Sequence, residues 1–306
     1  MSRAEAIRRA APRRAIAWAA SLAVAVVAAV VAVAVIAANS GAVRWDLVWG
    51  DDFAGPAGQP PGGWKFDTGQ GIFGDGDVAA LTSSPANAGL DGRGALAITA
   101  LGHAQSWTSA RIQTERGFAA PAGGELMVTA SIKQPDPASG AGYWPAFWML
   151  GSGAWPGGGE IDIMEDVNAD SAHSAALHCG NLTQHNADGT TGPCHEYTGL
   201  SSGLRPCPGC QRGYHTYTVV IDRRDAANQQ IRWYLDGTLF FTVAESQVGA
   251  EAWTEAVDHG FSIILDLAIG GKYPDSACRC TAPSPATTSG ATMSVRYVRV
   301  YRGVPS

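Results

Sequence analysis

From residue 43 onward the chain is cut into short apolar segments by Gly, Pro, Asn and Asp, and this punctuation leaves little room for anything but a β-sheet fold. The 38 Gly and 17 Pro favour tight turns over long helices. Strand-like segments are ALAITA at 95–100, ELMVTASI at 125–132, YTVVID at 217–222, IRWYL at 231–235, FSIILDL at 261–267 and MSVRYVRVY at 293–301. Asp236-Gly237, between IRWYL and LFFTV, is a strong hairpin signal. In the last segment Val295, Tyr297, Arg299 and Tyr301 alternate with Arg296, Val298, Val300 and Arg302, the pattern of a strand with one covered face. Residues 245–256 are the one place for a short helix, and residues 281–291 (TAPSPATTSGA) read as a surface loop. No internal repeat or long linker interrupts the pattern. The expectation is one antiparallel sandwich or barrel of about 260 residues over 43–306, preceded by a separate leader at 1–42.

The leader differs sharply in charge. Residues 1–14 carry Arg3, Arg8, Arg9, Arg13 and Arg14 against Glu5, a net of +4 within a chain of −6, so the remainder carries −10. Residues 15–38 hold no charge, and Ser21 is their only polar side chain. A basic block before an apolar run describes a secretory signal or a membrane helix with its N-terminus inside. The length favours a spanning hydrophobic helix, since roughly 20 residues cross a bilayer, while Ser40 and Ala42 offer a cleavage point. A buried helix of the folded domain is disfavoured because the run has no polar face. Either reading places the rest of the chain outside the cytoplasm, secreted or anchored to the membrane through residues 15–38. The acidic balance excludes nucleic-acid binding by charge, and 46% hydrophobic content excludes global disorder.

All six cysteines fall in the second half, and an even count outside the cytoplasm suggests disulfides. Connectivity stays open, with Cys179–Cys194 and Cys207–Cys210 favoured by proximity. A zinc alternative would combine Cys207 and Cys210 with Cys278 and Cys280. It is weaker, because one residue separates the second pair where zinc motifs use two to four.

The most informative segment is Trp155-Pro-Gly-Gly-Gly-Glu160-Ile-Asp162-Ile-Met-Glu165-Asp166. Alternation puts Glu160 and Asp162 on one strand face. Strict continuation would bring Met164 to that face and hide Glu165, whereas a one-residue β-bulge after Ile163 returns Glu165 to it. Three acids that close raise one another's pKa, so one carboxyl can stay protonated near neutral pH beside an ionised one. That pair suits acid–base chemistry on a glycosidic bond. A solvated acidic strand or a calcium site are the competing readings. The preceding aromatics, Tyr143, Trp144, Phe147, Trp148 and Trp155, tip the balance toward sugar, with some rings expected inward and others on the acids' face.

Residues 144–150 (WPAFWML) followed by WPGGGEIDIME resemble glycoside hydrolase family 16, in its laminarinase-like (endo-β-1,3-glucanase) branch, whose bulged motif has the E-I-D-I-M-E form. The likeness extends from Leu47-Val48-Trp49 and Asp52-Phe53 through residues 107–112 (WTSARI), His178, residues 214–217 (YHTY), IRWYLDG, ILDLAIGG and YVRVY, about residues 43–302. It implies an all-β jelly-roll sandwich of the concanavalin A-like kind with a concave substrate cleft, and an exported, monomeric, retaining endo-β-glycanase acting on a polysaccharide. Glu160 would be the nucleophile, Glu165 the acid/base, and Asp162 a group between them hydrogen-bonding Glu160. Trp144, Trp148 and Trp155 would form sugar subsites, Arg111 would bond a sugar, and His178 would stand beside the acid/base; for His178 a purely structural role is the competing reading. Retention is implied by the resemblance alone. Strand rise puts the two glutamate Cα atoms roughly 13 Å apart, so only inward-reaching side chains would bring the carboxyls to about 5–5.5 Å.

Departures from the family pattern accompany the likeness. Arg296 stands where an Asp often helps hold a structural calcium ion, which argues against that metal, and no cofactor is expected. Residues 74–82 (GDGDVAALT) lack a clear Asn-x-x-Glu-x-Gln patch, so contacts at the non-reducing end would differ. Asp266 adds an acid near the cleft. The cysteine-rich insert from Cys179 to Cys210 would form a stapled loop reshaping the acceptor side. A β-1,3-galactanase, a mixed-linkage glucanase, a transglycosylase and a non-catalytic glucan-binding protein are the alternatives.

Overall fold

The computed structural model describes residues 43–305; the basic leader, the apolar run at 15–38 with its expected helix, and the candidate cleavage point lie outside the described residues. Two eight-stranded antiparallel sheets share one hydrophobic core, as an all-β sandwich requires. Val128, Ile132 and Val219 of one sheet share that core with Phe147, Met149, Ile161 and Leu265 of the other. Each such side chain, fully buried, contributes about 1.5–3 kcal/mol. A third, three-stranded sheet carries a parallel pairing, Ala79–Leu81 with Ser106–Ser109.

The first sheet is built on Glu125–Lys133, flanked by His215–Asp222 and by Thr292–Pro305. The expected hairpin joins Gln230–Leu235 to Thr238–Ala244. Asp236 and Gly237 both take positive φ there (49° and 78°), as a two-residue hairpin turn of matching twist demands. The last strand departs from strict alternation. Its register shifts between Val295 and Tyr297, so Val295, Val298 and Val300 all reach the core. The extra residue is Arg296, whose guanidinium lies 3.8 Å from the centroid of the Tyr214 ring.

The second sheet runs Leu200–Ser201, Ala172–His178, Glu160–Glu165, Tyr143–Gly151, Phe261–Ile269, Arg111–Thr114 and Trp64–Asp67 in spatial order. The indole nitrogen of Trp233 in the first sheet donates to the Asp162 carbonyl at 2.8 Å, tying the acidic strand to the opposite layer.

Three expectations need correction. The single short helix is two, Glu245–Val248 and Ala250–Val257, broken at Gly249, whose φ is 90°. A further helix, Lys272–Cys278, has no counterpart in the sequence reading; Pro274 sits in its first turn, where a missing N–H breaks no helical bond. The 281–291 loop is not merely superficial. Ala282 and Thr287 are buried, and Thr287 Oγ1 donates to the Ala141 carbonyl at 2.8 Å, pinning the loop against the turn before Tyr143–Gly151.

Disulfides join Cys179 to Cys194, Cys207 to Cys210 and Cys278 to Cys280. Both favoured pairings are present, and the zinc alternative falls because its four thiols are consumed in disulfides. Cys179–Cys194 spans a sequence separation of 15. Closing a loop of that size restricts the unfolded chain by about 3 kcal/mol. Reduction is expected to lower the melting temperature by on the order of 5–10 °C; an unchanged melting curve after verified reduction would argue against a structural role.

Candidate active site

Glycines set the acidic strand's approach. Gly159 takes φ of 75°, and a Cβ there would collide with the backbone carbonyl of Ala256, so only glycine lets the strand enter flush against the Ala250–Val257 helix. Glu160, Asp162 and Glu165 then pair with Leu150, Trp148 and Ala146 on one side, and with His178, Ala176 and Ser174 on the other. The register shifts between Asp162 and Glu165, and both Ile163 and Met164 go into the core. The bulge thus lies where the alternation required it, and all three acids share one face.

The aromatic alternation divides as expected. Tyr143 and Phe147 are fully buried, while Trp144 and Trp148 stand half-buried on the acids' face. Trp144 Nε1 donates to Glu165 Oε1 at 2.8 Å, and Trp148 Nε1 donates to Asp266 Oδ1 at 2.7 Å. Tyr273 meets the edge of Trp144 and bonds the Ser174 hydroxyl at 3.1 Å, adding neutral neighbours near Glu165.

His178 is found elsewhere than expected. Its Nε2 lies 3.2 Å from Asp162 Oδ2 and 3.8 Å from Glu160 Oε1, so it stands beside Glu160 rather than beside Glu165. Its Nδ1 is 2.6 Å from Glu196 Oε2. Asp162 was expected to hydrogen-bond Glu160 directly; among the described residues the two are linked instead through His178. Trp155, 39% exposed, stacks on Tyr197 with centroids 5.7 Å apart and planes 14° apart, and tilts toward His178.

Arg111 is buried at the far side of the same face. Its Nη1 reaches Asp67 Oδ2 at 3.4 Å, and its guanidinium lies 3.7 Å from the Phe73 centroid and 4.8 Å from that of Trp148. It pairs across strands with Asp266, the extra acid of the ILDL segment.

Electrostatics separate the two glutamates. Burial, then the charge of Asp162, holds both carboxyls above the ordinary range. His178 pulls both back down; it is the leading lowering influence on Glu160, which Arg111 lowers as well, whereas Glu165 is lowered first by the hydrogen bond from the neutral Trp144 indole. The imidazole stands 3.8 Å from Glu160, so more of the countercharge is gathered on the Glu160 side. Burial disfavours a charged His178, but hydrogen bonds to Asp162 and Glu196, with the Asp162 and Glu160 charges, outweigh it and hold the imidazole well above its usual pKa. Burial also lifts Asp266 to about 7, against the pull of Arg111 and the Trp148 bond.

Glu160, Asp162 and His178 present ligand atoms within 4.8 Å of one another, close enough to chelate a cation. Metal binding needs a neutral imidazole, whereas the bonds to Asp162 and Glu196 favour the protonated ring at this position.

Sequence reasoning missed Glu196, Tyr197, Tyr273, Asp67 and Phe73. The insert between Cys179 and Cys210 was expected near the cleft, but nothing local in Cys194-His-Glu196-Tyr197 announces a partner at residue 178.

A β-sandwich that lines one face with two buried glutamates, both inclined to hold protons, between tryptophans, is built as a glycoside hydrolase. Residues 97–204 match the family model described as XgeA-like, catalytic GH16 domain. The chain is 30% identical over 277 residues to a Rhodothermus marinus protein named "Beta-glucanase", covering 86% of this chain and 87% of that relative. A Sphingobacterium multivorum keratan-sulfate endo-1,4-beta-galactosidase is 28% identical, with 84% of this chain matched but only 55% of that relative. Among solved structures, the endo-1,3-beta-glucanase from Streptomyces sioyaensis superimposes with a TM-score of 0.78 at 41% identity, covering 85% of this chain and 97% of that one. The chain belongs to glycoside hydrolase family 16.

Proposed function

We propose that this chain is an exported, monomeric, retaining endo-β-1,3-glucanase whose polysaccharide lies in a concave cleft across the face bearing Glu160 and Glu165. The observation that carries the reading is the return of Glu165, by the bulge, to the face of Glu160. Once it has given up its proton, Glu160, steadied by His178, attacks the anomeric carbon and forms a glycosyl-enzyme. Glu165, its proton held by burial and by Asp162, protonates the leaving oxygen and then accepts a proton from the attacking water. Trp144 orients Glu165 through its indole N–H, and the faces of Trp148, Trp155 and Tyr197 offer platforms for sugar rings. Arg111, fixed by Asp67, Phe73 and Trp148, borders the cleft as a hydrogen-bonding wall. Hydrolysis, not binding alone, is favoured by two intact glutamates on one face. Export is supported by three disulfides and by the basic and apolar leader.

The test is product analysis of the purified protein on laminarin, lichenan and β-1,3-galactan. Laminarin should yield mixed oligosaccharides early in the reaction, with the newly formed reducing end first in the β configuration. Faster cleavage of galactan would transfer the mechanism to a galactanase. Glucose released singly from chain ends, or an inverted first product, would overturn endo action or retention respectively.

A further inference from the structure

Glu196 takes no part in the mechanism above, yet its side chain is fully shielded from solvent. A carboxylate so buried is costly unless fully partnered. Both of its oxygens are used: Oε2 lies 2.6 Å from His178 Nδ1, and Oε1 accepts the Cys179 N–H at 3.0 Å. The backbone is held as firmly, since Glu196 and Thr191 exchange hydrogen bonds at 2.7 and 3.2 Å. The Cys179–Cys194 disulfide closes the insert two residues before Glu196, and Gly199 returns the chain beside His178. A Cβ at Gly199, whose φ is 68°, would lie 3.0 Å from His178 Cε1.

We propose that Glu196, delivered by the disulfide-closed insert, is the positioning residue that orients His178 toward the Glu160–Asp162 pair. Accepting from Nδ1–H, it fixes which ring nitrogen faces the acids. Nε2 then looks at Asp162 and Glu160, where a bare lone pair would meet two carboxyls; a second proton on the ring turns that repulsion into attraction. The charged groups facing His178 are Glu160 and Asp162 from the acidic strand and Glu196 from the insert, with the Trp155 ring over it. Loss of Glu196 would leave the ring neutral or turned, and Glu160 without its nearest positive neighbour. The proposal rests on the reading of Glu160 as nucleophile.

Glu196→Gln tests it. The amide fills the same space, but its one carbonyl oxygen must serve two donors. In the parent protein, histidine-selective NMR should find His178 protonated on both nitrogens at pH 6, whereas in Glu196→Gln its titration should move down by at least about one pH unit. kcat on laminarin should fall about 10–100-fold with KM little changed, in a variant whose circular dichroism matches the parent. A neutral His178 in the parent at pH 6, or an unmoved titration with unaltered kcat in the variant, would overturn the proposal. The imidazole titration is read on free protein without substrate, so it stands or falls apart from the nucleophile reading, which Glu160→Gln tests.

Discussion

Glu160→Gln is expected to lose hydrolysis by on the order of 10⁴-fold or more while the protein stays folded. The amide keeps the shape of the side chain but cannot form the glycosyl-enzyme. Stability should rise, and the sign follows from the environment. Burial and Asp162 raise the Glu160 pKa in the folded state. The unfolded chain therefore releases that proton at lower pH, and the carboxyl's contribution to stability declines as pH climbs above the ordinary carboxylate range. Glutamine has no proton to release, so the variant's advantage should be absent near pH 4 and grow toward neutrality. Melting curves and laminarin assays across that range check both halves; near-normal turnover would remove Glu160 from the nucleophile role.

Glu165→Gln should divide substrates by their leaving groups. On laminarin the loss should be about 10²–10⁴-fold, the usual worth of a positioned general acid. On an aryl glycoside whose phenolate departs without a proton, bond cleavage should be affected far less. The pH profile offers a second reading. Glu165 must carry its proton, which burial and the Asp162 charge hold above the ordinary range. The alkaline limb of parent kcat/KM on laminarin should follow the loss of that proton, and it should vanish in the variant assayed on the aryl substrate. Equal losses on both substrate types would show that Glu165 is not the acid.

Legibility in the sequence followed the range of each interaction. The two-residue period exposed the strands, and the apparent misfit of Met164 exposed the bulge, because both are properties of adjacent residues. Val295 and Tyr297 show the limit of that logic. Nothing in the local pattern marks Arg296 as the extra residue, since the shift is set by pairing with Ser131 and Ile132 of a strand more than 150 residues away. His178 was singled out but placed beside the wrong glutamate. Its position depends on pairing with Glu160 across two strands and on an insert that folds back over it.

Legible in the chain was an antiparallel β fold, sandwich or barrel, with three acids on one strand face and aromatic side chains beside them. These follow from side-chain alternation and glycine geometry, which a chain carries whatever surrounds it. Which neighbours each acid meets depends on the three-dimensional fold: His178 and Glu196 at Glu160, the Trp144 indole at Glu165, Arg111 and Trp148 at Asp266. Those partners come from separate strands and a disulfide-closed loop. These partners, which no local pattern encodes, give different surroundings to carboxyls that are alike in the unfolded chain.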